Sequence, residues 1–135
     1  MKTNELKCID LRIGNYLKYD DEIIQVSVLR KNYVEFYDKE DLLIGDNPKY
    51  FQPIELTEEV LVKIGFEKDG NNYSLVCGDI EVGYYIDKFK QVLYINVSRE
   101  KRFYKNELRS YDVKYLHQLQ NAFYCITNQE LKVEL

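Results

Sequence analysis

Apolar and polar residues alternate over short stretches of this chain, and closely spaced turn residues separate them. Residues 15–19 read as a strand, Asp20-Asp21 as a turn, and residues 22–29 as a second strand with Ile24, Val26 and Val28 on one face. Lys31-Asn32 turns the chain into a third strand, residues 33–37, which sets Val34 and Phe36 on one side. Leu42-Leu43-Ile44 offers a fourth strand and residues 50–56 a fifth, with Pro53 at an edge or a strand end because it cannot donate to a ladder. Five short strands at this spacing predict a small antiparallel barrel, SH3-like in type.

A helix of about two turns follows, too short to stand alone. Thr57 is placed to cap it, and Glu58 and Glu59 fall in the first turn, where carboxylates suit the helix dipole. Val60, Leu61 and Ile64 form its apolar stripe. Gly65 is positioned as the left-handed stop, with Phe66 folding back on Leu61. A second β section comes next: a hairpin turn at Asp69-Gly70-Asn71, then strands at 72–76, 80–86 and 91–98. In the last of these, Leu93, Ile95 and Val97 make the core face, opposite Val92, Tyr94, Asn96 and Ser98. Asp112 is placed to cap a long helix over 113–126. Leu116, Leu119, Phe123 and Ile126 form its stripe, widened by Tyr115 and Ala122, while Lys114, His117, Asn121 and Tyr124 lie opposite. Thr127-Asn128 ends this helix, and residues 131–135 read as a strand returning to the sheet.

The pattern therefore predicts an α+β protein. An SH3-like β lobe spans 1–56. A short connector helix and an antiparallel sheet packed by the long C-terminal helix span 57–135, and the two parts form one compact unit.

Composition adds one outlier to this picture. The 135 residues include 13 Tyr and 6 Phe but no Trp. Tyrosine suits half-buried strands, and it also supplies amphipathic contact area for a binding surface. Net charge is −4, too small for an acidic mimic of nucleic acid and of the wrong sign for a general phosphate binder. The charge is segregated: residues 35–59 hold eight acidic and two basic side chains, and residues 99–114 hold six basic and three acidic. Three distant cysteines, Cys8, Cys77 and Cys125, form no C-x-x-C, which argues against a disulfide framework and for a reducing compartment. Residues 1–7 lack an apolar core for a signal peptide, and no apolar run approaches the length of a membrane span. The expected location is the cytoplasm.

Candidate chemistry is sparse. A Ser-His-Asp or Cys-His site would have to use His117, the only histidine, and no nucleophile motif accompanies it. The plainer role for His117, Gln118, Gln120 and Asn121 is hydrogen bonding to neighbouring backbone or to the other lobe. One histidine and three scattered cysteines make no zinc set, and the six dispersed glycines make no phosphate loop. Neither a metal nor a cofactor is expected. The positive signal is the basic stretch, where Arg99, Lys101, Arg102, Lys105, Arg109 and Lys114 interleave with Phe103, Tyr104 and Tyr111. Basic groups beside stacking faces suit single-stranded nucleic acid or a nucleotide.

Three pieces stand in order along the chain. They are Leu11-Arg12-Ile13-Gly14-Asn15-Tyr16, then Pro53-Ile54-Glu55-Leu56-Thr57-Glu58-Glu59 with Leu61 and Gly65-Phe66, then Tyr115-Leu116-His117-Gln118-Leu119-Gln120-Asn121 with Phe123, Thr127 and Glu130-Leu131. Together they resemble a family of small uncharacterised proteins from phages, prophages and mobile elements of Bacteroides and relatives. Members of that family often carry Gly where this chain has Asn128, and Asn also tolerates the left-handed conformation of a helix stop. The resemblance implies a genomic context and no activity, so no catalytic residue is carried over from it.

The expected function is a non-enzymatic interaction protein with a host or phage protein as partner. The alternative is a nucleic-acid or nucleotide binder that counters host defence by sequestration. Candidate binding residues are Arg99, Lys101, Arg102, Tyr104, Lys105, Arg109, His117 and Asn121. Membrane partners are not expected, and a homodimer joining the acidic and basic stretches stays open.

Overall fold

The computed structural model describes residues 5–78, 80–89, 91–97, 107–110 and 113–135, and of 95–97 and 107–110 only the backbone. In chain order the strands are β1 (Tyr16–Tyr19), β2 (Glu22–Gln25), β3 (Val28–Arg30), β4 (Tyr33–Tyr37), β5 (Leu43–Asp46), β6 (Glu67–Asp69), β7 (Asn72–Cys77), β8 (Ile80–Ile86), β9 (Gln91–Val97) and β10 (Glu107–Ser110). Helix α1 (Glu58–Lys63) lies between β5 and β6, and α2 (Leu116–Thr127) follows β10. The fold is α+β with antiparallel strand pairs, as the alternation predicts. The chain divides into two units: Met1–Glu55 with Tyr115–Ala122, and Leu56–Lys114 with Phe123–Leu135.

In the first unit, β1 pairs with β2, and β3, β4 and β5 make a separate three-stranded sheet. The sequence predicts one strand over 22–29, whereas the chain breaks at Val26-Ser27. Val26 N–H donates to the Asn15 carbonyl and Ser27 N–H to that of Glu35. The two halves thus answer to different partners, and no closed barrel forms among the described residues. The predicted strand at 50–56 is also absent. A 3₁₀ turn at Pro48–Tyr50 precedes single bridges from Gln52 to Lys18 and from Glu55 to Tyr115. Asp20 and Asp21 form the two-residue β1–β2 loop, both with positive φ, the signature of a type I′ hairpin. Apolar residues turned inward build the core: Leu17 and Ile24 from the first pair, Val34 and Phe36 from β4, with Leu11, Val26 and Phe51. Tyr19, Phe36 and Phe51 meet there, ring centroids 4.7–5.9 Å apart.

In the second unit, β6 to β10 form a five-stranded antiparallel meander in sequence order. Tyr73, Tyr84 and Leu93 lie in register on its buried face. The Tyr84 hydroxyl donates to the Val113 carbonyl, and burial raises its pKa. Helix α1 forms as its sequence predicts. Thr57 Oγ1 accepts from Val60 N–H at 3.3 Å, and Lys68 pairs with Glu58. Gly65, at φ +104°, closes a Schellman stop: Phe66 N–H donates to the Leu61 carbonyl and Gly65 N–H to that of Val62.

Helix α2 begins three residues later than the sequence predicts. Leu116 N–H donates to the Ile54 carbonyl and Leu56 N–H to that of Lys114, so bridging holds 113–115 extended. Asp112, the expected cap, lies outside the described residues. Asn128 takes φ +57° after the last turn, the left-handed stop the sequence predicts. Residues 131–135 form no strand; Leu131 is buried there without a ladder. The cysteines are free, and among the described residues no helix is long and apolar enough to cross a membrane.

Candidate functional site

The first and third of the resemblance segments meet in the first unit. Asn15 is fully buried, and each of its polar atoms is used. Its Oδ1 accepts from Arg12 N–H at 2.7 Å, and its Nδ2 donates to Asn121 Oδ1 at 2.8 Å and Gln120 Oε1 at 3.5 Å. Gln120 Oε1 also accepts from Tyr16 N–H at 2.9 Å, and its Nε2 donates to the Gly14 carbonyl at 3.1 Å. Asn121 Nδ2 donates to the Asp10 carbonyl at 3.3 Å. Gln118 Oε1 accepts from Tyr115 N–H, closing the helix start as the third residue of a capping box does. The side-chain amides of Asn15, Gln120 and Asn121 thus satisfy backbone groups at Asp10, Arg12, Gly14 and Tyr16. Buried amides need such saturation, since an unmatched one costs about 1–3 kcal/mol.

His117 departs from its expected place. The helical pattern puts it on a polar outer face, yet it is only 2% exposed, because residues 10–16 cover that side of the helix start. Its ring stacks on Tyr115 with centroids 6.0 Å apart, and its Nδ1 has no hydrogen-bond partner among the described residues. Burial lowers its pKa from 6.5 to about 4, against a smaller upward pull from the Asp10 charge. At neutral pH it is an uncharged ring in a packed site. Asn121 is spent on Asn15 and the Asp10 backbone. Both side chains thus take part in the packing and bonding of the first unit.

Arg99, Lys101, Arg102, Tyr104 and Lys105 lie outside the described residues, as do Phe103 and Tyr111. Arg109 sits in β10 in register with Tyr94, and Lys114 is exposed. Among the described residues no group of three or more His, Cys, Asp or Glu could hold a metal ion.

The sheet faces carry what residue-by-residue motif reading misses. In the first unit Val34 and Phe36 point inward and Tyr33 and Tyr37 are exposed, while Glu35 between them is buried although it alternates with the inward pair. Tyr33 is 43% exposed and Tyr37 57%. Register sets Tyr37 opposite Leu43, itself 48% exposed, and Leu42 beside it is 57% exposed. The Tyr33 ring lies over Gly45, where a Cβ would come within 2.2 Å of it, and its hydroxyl donates to the Gly45 carbonyl at 2.9 Å. Glu35 is held by Arg30 at 2.7 Å. The second unit repeats the device: the Tyr94 ring covers Gly83 on the neighbouring strand, and its hydroxyl reaches Asn72 Oδ1 at 3.3 Å. The excess of tyrosine signals such faces; which tyrosines share one is decided by register.

Tyr19 donates to Asp46 Oδ2 at 2.8 Å, and that bond, with burial, raises its pKa to about 12. It serves as a permanent donor tying β1 to β5.

No family model matches this chain, and no curated protein or solved structure does either.

Proposed function

We propose that the chain is a non-enzymatic interaction protein of a phage or mobile element, acting in the cytoplasm. Its first unit serves as an SH3-like β module that binds a host or phage protein. The observation that carries this reading is the outward side of β4 and β5, where Tyr37 and Leu43 are exposed cross-strand neighbours and Tyr33, further along β4, is exposed as well. Single exposed apolar residues need no explanation, whereas adjoining ones favour contact with another surface. Asn15, Gln120 and Asn121 are occupied by bonds within the first unit, which supports a scaffold role for them and recognition at the exposed surface. Affinity capture from host lysate with wild-type protein and with Tyr37→Ser/Leu43→Ser tests it. A partner enriched by the wild type and lost by the variant supports the reading, and no enrichment by the wild type refutes it.

A second reading, binding of nucleic acid or a nucleotide, draws on the β9–β10 hairpin. That hairpin sets Arg109 in register with Tyr94 and flanks the basic stretch 99–105. It requires salt-sensitive binding that Arg102→Glu/Lys105→Glu abolishes. Binding that survives the double change removes the reading.

A further inference from the structure

We infer that the outward face of β3, β4 and β5 docks a cationic, extended segment of the protein partner. The inference rests on the proposed interaction function and names the surface and the partner's chemistry.

Two observations meet at one place. The first is the exposed Tyr37–Leu43 cross-strand pair, with Tyr33 further along β4 lying over Gly45 and the buried Glu35 between them. The second is the charge around the hairpin end of that surface. The β4–β5 turn contributes Asp38, Glu40 and Asp41. Lys39 reaches Glu22 Oε1 at 3.6 Å and so brings in the β1–β2 turn with Asp20, Asp21 and Glu22. Six carboxylates and one ammonium give this end a formal charge of −5 at neutral pH. Asp38 is used within its own turn, accepting from the backbone of Glu40 and Leu42, while Asp20, Asp21, Glu40 and Asp41 face solvent. Glu35, between Tyr33 and Tyr37, is buried and paired with Arg30, so the free carboxylates of this surface lie at the hairpin end.

The complement of that arrangement is a segment with apolar side chains on one side and Lys or Arg toward one end. Tyrosine faces attract such cations as well. An extended form fits better than a helix because β5 is the outer strand of its sheet among the described residues. Edge strands are ordinarily blunted by Lys or Pro, and Leu43-Ile44-Gly45-Asp46 carries neither. A strand laid beside β5 sets alternate side chains next to Leu43, which is how added strands gain specificity.

The test is fluorescence anisotropy of the full chain with short labelled peptides of alternating Leu and Arg, and with the same peptides carrying Glu for Arg. The cationic peptide binds with an affinity that falls as salt rises, and the anionic one does not bind. Tyr37→Ser/Leu43→Ser and, separately, Glu40→Lys/Asp41→Lys each weaken binding about tenfold or more, as loss of an anchor or a charge pair does. Val76→Ser, a change at an exposed apolar position in the second unit, leaves it unaltered. These positions are outside the core, so the variants fold, which circular dichroism verifies. Equal binding of both peptides, or retention of affinity by either double variant, overturns the inference. Self-association abolished by Leu43→Ser would make the occupant a second copy and overturn it too. Capture of a partner that Tyr37→Ser leaves intact overturns this surface while sparing the interaction reading; absence of any captured partner strikes the latter.

Discussion

Acidification charges His117 in the unfolded chain well before it charges the folded one. The unfolded ring has a pKa near 6.5, and burial lowers the folded value to about 4. A base with a lowered folded pKa stabilises the fold fully above about pH 6.5, and that contribution drains away as pH falls toward about 4. The whole gap is worth about 3 kcal/mol, of which about 2.5 kcal/mol has gone by about pH 4.5. Carboxylates titrate in the same window, so the comparison needs a variant without the ring's proton. His117→Phe supplies it, keeping an aromatic ring beside Tyr115 and removing the unpartnered Nδ1. Urea unfolding at about pH 7 and about pH 4.5 should show the wild type losing about 2.5 kcal/mol more than His117→Phe. Because the chain has one histidine, its Hε1 proton NMR signal reports the folded pKa directly. A titration midpoint at about 6 or above, or equal acid losses in the two proteins, would refute the reasoning.

Three further outcomes follow from the packing. Asn15→Ala strips partners from Arg12 N–H and from the Gln120 and Asn121 amides, and should cost about 3 kcal/mol by urea or thermal unfolding; a loss under about 1 kcal/mol would mean water replaces the side chain freely. Gly83→Ala places a Cβ within 2.1 Å of the Tyr94 ring. Displacing that ring should cost about 1–3 kcal/mol, and a cycle with Tyr94→Ala should recover most of it; additive losses would show that the ring is not the obstacle. Thr57→Ala removes the cap on Val60 N–H and should destabilise the second unit by about 1 kcal/mol, whereas Thr57→Ser should not, as read by thermal unfolding.

Local signals were legible where the deciding partners lie a few residues away. Helix α1, with Thr57 before it and Gly65-Phe66 after it, was readable because its cap and stop are its own neighbours. Strand β4 was readable because its alternation is strict, and Asn128 because a left-handed stop needs a residue that tolerates positive φ. The separation of β2 from β3 was not, since Val26 and Ser27 each donate to a carbonyl elsewhere in the chain. The same holds for 113–115, held extended by Ile54 and Leu56, and for 131–135, where a strand-like pattern finds no ladder.

The candidate site divides along the same line. Sequence alone marked Asn121 and His117 as unusual, and tyrosine as abundant. It could not tell that Asn15, more than a hundred residues before Asn121, is the group those amides serve. A helical wheel assigns a polar face to solvent, but residues 10–16 cover that face and turn His117 into a buried neutral ring. The alternation of apolar side chains determined which residues seek the interior. Only strand register decided which of the others share one outward surface, because a register position is set by hydrogen bonds between segments that the local pattern does not connect.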